Sequence, residues 1–148
     1  MAKAPTREDA KLLLQLYDLR REKALRKARD FVQSDLKFKD FKDFEKRYPQ
    51  GTKERTYVGM VMGYWDMTCT FVSKGLLNEE LFSLTTFEHV AVWFKLKPVA
   101  EAYRKMFNHA GIAQALETVA TRHPGAAAMQ AVMQKAAGGK ARGAARRR

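Results

Sequence analysis

The stretch that most limits what this chain can fold into is residues 57–97, YVGMVMGYWDMTCTFVSKGLLNEELFSLTTFEHVAVWFKLK. It holds both tryptophans, the single cysteine and many of the long apolar side chains. Residues 52–74 read as a helix that is apolar on nearly every side, and such a helix must be buried by its neighbours. Its most apolar window, 57–72, falls short of the roughly 20 residues that span a bilayer, and Asp66 interrupts it. A packed core is therefore expected here rather than a transmembrane segment. One stripe breaks the apolar surface: Gly59, Gly63, Asp66, Thr70 and Ser73, at helical spacing. The stripe either faces water or lets another helix approach closely over the glycines, and the apolar remainder favours close packing. Asp66 in such a contact needs a partner, because an ionised carboxylate is costly to bury. Arg104 and His89 are the downstream candidates. Asp66→Ala would then strand one member of a buried pair, at a cost of about 3 kcal/mol or more.

The flanking segments read as further helices. Thr6 followed by Asp9 resembles a capping box at the head of residues 7–32, a Pro- and Gly-free run. Apolar residues at Leu14, Tyr17, Ala24, Ala28 and Phe31, and at Leu25 and Val32, predict one continuous helix of about 40 Å. Phe38, Phe41 and Phe44 recur every three residues and predict a short helix over 39–47 that docks its phenylalanines on the core. Interleaved with lysines they also suggest a single-strand stacking surface, but Asp40, Asp43 and Glu45 neutralise much of that charge. Pro49, Gln50 and Gly51 break the chain.

Gly75 suits a left-handed stop to the central helix, with Leu76 and Leu77 behind it. Asn78, followed by Glu79 and Glu80, caps a short helix, and Thr85 or Thr86 caps the next, which carries Trp93. Pro98 kinks or restarts that helix, and residues 99–108 continue it. Helices are expected over 112–121 and from Pro124 to about residue 137, where Gly138 and Gly139 end the structure. With no convincing strand and no repeat, the fold class is all-α. The expectation is a single compact helical domain, residues 1–137, of about five to seven helices around a buried central helix. A disordered basic C-terminal tail, 138–148, completes it.

Charge is the loudest global property: +12 over 148 residues. It concentrates in Arg20, Arg21, Lys23, Arg26, Lys27 and Arg29, set against Glu22, and in the tail cations Lys140, Arg142, Arg146, Arg147 and Arg148. These eleven are the candidate polyanion contacts, since clustered cations give salt-sensitive affinity for phosphates or acidic surfaces. Charge on an exposed helix also serves plain solvation. Cys69 has no partner for a disulfide and the N-terminus is charged, so a cytoplasmic setting without a signal peptide is expected. His89, His109 and His123 have no metal-ligand spacing, and no glycine-rich phosphate loop is present. Glu88 beside His89 points elsewhere on a helix, and Cys69 on a buried helix is structural. We therefore expect no catalysis, no cofactor and no metal. The function read from the residues is a macromolecule-binding or scaffold domain with a protein partner. The alternative is non-specific RNA or DNA binding through the basic helix and tail.

The order of Asp66, then Lys74-Gly75-Leu76-Leu77-Asn78-Glu79-Glu80-Leu81-Phe82, Trp93, Leu96-Lys97-Pro98 and Arg104 resembles a group of bacterial helical proteins classed as a domain of unknown function. The similarity covers about residues 35–106. Similar sequences carry a G-L-[LI]-x-E-x-L-F turn, a tryptophan about a dozen residues on, an L-x-P and an arginine. The resemblance implies an all-helical fold and a joint role for Asp66 and Arg104. It brings no activity. Many members place a membrane-spanning segment ahead of this region, a feature with no counterpart in the 148 residues.

Overall fold

The computed structural model describes residues 3–145, with side chains to residue 139. The secondary structure of these residues is helical: α1 (Arg7–Arg20), α2 (Lys23–Asp30), a π-helical turn (Phe31–Asp35), α3 (Phe41–Arg47), α4 (Lys53–Ser73), α5 (Glu79–Thr85), α6 (Glu88–Met106), α7 (Gln114–Arg122) and α8 (Ala126–Ala145). The central apolar helix is α4, and α2, α6 and α7 pack around it. Trp65 and Trp93, Phe44, Phe82 and Leu96 are buried in one core with Val58, Val61 and Cys69.

The helix starts follow local chemistry. Thr6 and Asp9 form a capping box, each satisfying a backbone N–H of the other. Asp40, Thr52 and Asn78 cap α3, α4 and α5 through their side-chain oxygens. At the end of α4, Gly75 is left-handed at φ +71°. Its N–H donates to the Val72 carbonyl and the Leu76 N–H to that of Phe71, the paired bonds of a Schellman stop.

Several boundaries differ from the sequence reading. The run 7–32 is two helices, because Glu22 turns its carboxylate onto the N–H groups of Ala24 and Leu25 and restarts the helix as an N-cap. That break accounts for eight α-helices rather than five to seven. It also reorients the first apolar stripe: Leu16 is buried, whereas Leu14 and Tyr17 are exposed. Thr86 is the C-cap of α5, and α6 starts at Phe87 without a side-chain cap. Pro98 lies inside α6, which continues through it. The last helix runs past Gly138 and Gly139 to Ala145. The helix continues because two glycines weaken it by only about 1 kcal/mol each, while alanines surround them. Arg146, Arg147 and Arg148 lie outside the described residues.

Candidate functional site

The six cations of residues 20–29 do not form one surface. Arg29 faces inward, donating from Nε to Glu88 Oε1 at 2.8 Å and from Nη2 to Oε2 at 2.5 Å. This two-pronged, largely buried pair ties α2 to α6, and the hydrogen bonds to Glu88 hold the guanidinium pKa above its usual value. Arg20 lies half-buried over the rings of Tyr17 and Trp65. Arg21, Lys23, Arg26 and Lys27 remain exposed. The nearest acid in sequence, Glu22, is held on the α2 backbone, and those N–H bonds lower its pKa. It pairs with none of the four. Leu25 and Ala28 are buried on α2, so Lys23, Arg26 and Lys27 sit on a fixed helix, with Arg21 at the C-cap of α1 beside it. Lys140 and Arg142 fall within the backbone of α8, with no side-chain placement described.

Asp66 and Arg104 do act at one place, but not as an ion pair. Ala113, which opens α7, is left-handed at φ +54° and offers no side-chain cap. Asp66, half-buried on α4, supplies the cap from outside: its Oδ1 accepts the Leu116 N–H at 3.0 Å. Arg104 donates to the Ile112 carbonyl at 2.8 Å and pairs with Glu117 at 2.7 Å. The expected Asp66–Arg104 pair is therefore replaced by a shared grip on the start of α7, whose unsatisfied N–H groups attract the carboxylate more directly. Gly59 and Gly63 are exposed, with open space where a Cβ would stand, so no helix among the described residues approaches over them. The close-packing reading of that stripe is overturned.

His89, the other expected partner of Asp66, is fully buried among Phe82, Trp65 and His123. Neither ring nitrogen meets a hydrogen-bond partner among the described residues. Burial, reinforced by His123 and opposed by Glu88, lowers its pKa to about 4. Burial also drives the Cys69 thiol far upward, which suppresses the thiolate. Sequence reasoning missed Arg55, buried on the faces of Phe44 and Tyr103 and donating to the Tyr48 carbonyl at 3.0 Å. Its buried position was legible only as part of the helical register of α4. Among the described residues no group of three or more His, Cys, Asp or Glu could hold a metal ion. No helix among them is long and apolar enough to cross a membrane.

The model of a family described as a domain of unknown function (DUF4760) matches residues 5–123. The match reaches from just ahead of α1 to the end of α7, well beyond the motif-bearing segment 35–106. No curated protein and no solved structure matches the chain.

Proposed function

We propose that this chain, which belongs to the DUF4760 family, is a non-catalytic macromolecule-binding domain of the cytoplasm whose partner is an acidic protein surface. The observation that carries this reading is the exposed quartet of Arg21, at the end of α1, and Lys23, Arg26 and Lys27 on α2, none with an ion-pair partner among the described residues, while Leu25 and Ala28 anchor α2. Cations fixed on a rigid helix attract an acidic surface without first having to be ordered, and the +12 balance steers such a partner from a distance. Nucleic acid is the second reading, supported by the five further cations among residues 140–148.

Binding of fluorescent DNA, RNA and poly-glutamate at two salt concentrations separates the two. The full chain is set beside one ending at Ala137 and beside a variant with Lys23→Glu and Arg26→Glu. The protein reading expects poly-glutamate binding that the charge reversal removes and the truncation leaves intact. Nucleic-acid binding that the truncation removes would establish the second reading instead. Binding of none of the three in low salt would sink both.

A further inference from the structure

A cleft of about 300 Å³ opens between α1, α4 and α5, with Leu13, Leu16, Tyr64, Trp65 and Phe82 among its walls and Arg20 beside them. We propose that it binds a free single-chain carboxylate of the fatty-acid class, with the chain in the cleft and the carboxylate on Arg20. The cleft involves none of Lys23, Arg26 and Lys27 (Arg21 lies over the Tyr17 ring at its mouth, 5.7 Å away), and it stands whether or not the α2 surface binds an acidic partner.

The walls offer carbon. Tyr64 Oη donates to the Leu16 carbonyl at 2.6 Å, Thr68 Oγ1 to the Tyr64 carbonyl at 3.0 Å, and Thr85 Oγ1 to the carbonyls of Leu81 and Phe82. These hydroxyls are committed to backbone acceptors, which leaves an apolar lining. Around the opening, Leu14 is 68% and Tyr17 48% exposed, large apolar side chains kept in water beside the apolar cleft.

Arg20 adds the charge. Its guanidinium carbon stands 4.9 Å from the Tyr17 ring centre and 5.6 Å from that of Trp65, and Nη1 donates to Thr86 Oγ1 at 3.3 Å. No carboxylate lies within ion-pair distance of it among the described residues, in contrast to Arg29, which has Glu88. Two aromatic faces and one hydrogen bond thus orient a planar fork whose Nε and Nη2 meet no partner among the described residues, the geometry that receives a carboxylate. A ligand with no charge would leave this arginine unused, and a bare anion would leave the cleft unused. An anionic head on an apolar chain uses both. The volume is at the lower end for small-ligand sites and equals about ten waters, which favours a medium chain over a long one.

The test titrates the full chain with decanoate, decanol and decylamine below their micelle concentrations, read by calorimetry and by tryptophan fluorescence. Decanoate should bind one to one, about tenfold more tightly than decanol, as a charge-assisted contact to Arg20 implies. R20Q should bring decanoate down to the decanol level, R20K should keep part of the difference, and Leu13→Trp, which fills the cleft, should remove both. Should R20Q fail to fold, the comparison of decanoate with decanol on the unaltered chain decides alone. Equal affinity for the two, or saturable binding of neither, overturns the proposal. So does saturable binding of an apolar peptide without decanoate, which would make the cleft a protein-docking surface.

Discussion

His89 is the residue whose environment differs most from its chemistry. A neutral imidazole needs one donor and one acceptor partner, and here neither nitrogen has one among the described residues. With a folded pKa of about 4 against the ordinary 6.5, the unfolded chain takes up a proton between those values that the folded chain refuses. Stability therefore falls as pH drops from 6.5 towards 4, by about 3 kcal/mol at most. Asp9, Glu22 and Asp43, whose pKa values are lowered chiefly by hydrogen bonds to their carboxylates, lose their contribution as pH falls below their ordinary values, 4.5 for Glu22 and 3.8 for the two aspartates. Above pH 4.5 the loss is that of His89 alone. His89→Leu, close in volume and without polar atoms, should raise stability by about 1 kcal/mol at pH 7 and flatten the pH 6.5–4 slope. Urea melts at pH 7, 5.5 and 4.5 check both, and an unchanged slope would show that another group drives the acid loss. Asp66 is a smaller matter than its place in an apolar helix suggests. It caps α7 while half-buried, so Asp66→Ala should cost about 1 kcal/mol, the scale of a lost cap, and not the 3 or more of a stranded buried charge. A measured loss above about 2.5 kcal/mol would restore the buried-pair reading.

The glycines of α4 separate two roles that look alike in sequence. Gly59 and Gly63 sit mid-helix in open water, where glycine only adds backbone freedom to the unfolded chain. Gly59→Ala with Gly63→Ala should therefore stabilise the fold by about 1–2 kcal/mol together. Gly75 also has open space around it, but its φ of +71° disfavours any side chain, so Gly75→Ala should destabilise by about 1 kcal/mol. Thermal unfolding of the two variants checks the opposite signs, and stabilisation in both would refute the distinction. The Schellman stop was readable from Gly75, Leu76 and Leu77 because its determinants are local. The direction faced by Gly59 was not, because that depends on where α7 docks, and Asp66, the one cue to that docking, was assigned to a side-chain partner. In the same way the division between α1 and α2 hinged on Glu22 choosing backbone over its cationic neighbours, a choice that composition conceals.

At the scale of the molecule, the all-helical architecture and the burial of both tryptophans followed from patterning. The surfaces that could bind did not, since clustering in sequence placed Arg20, Arg29 and Lys23 together and the fold sends them to a cleft, a buried ion pair and open water. The last helix poses the remaining whole-molecule question. The family match ends at residue 123, and α8 begins at Ala126. Ala126 is nonetheless buried, and Met129 is half-buried against the shared core, over α6 and α7. Beyond Met133 the described side chains are exposed. The helix thus has a first turn that covers core and, over residues 134–139, a stretch that does not. Ending the chain after Ala137 should leave the melting temperature within about 2 °C, because the described residues it removes first, Gly138 and Gly139, are exposed and carry no side chain to bury. Ending it after Pro124 uncovers the surface beneath Ala126 and Met129. That should cost about 2 kcal/mol, a fall of about 6 °C for a chain of this size. Calorimetry on the three lengths checks the pair. If the shorter chain melts with the full one, α8 contributes nothing to the core and residues 5–123 are the whole cooperative unit; if the Ala137 chain falls as well, the residues after Ala137 have a packing role.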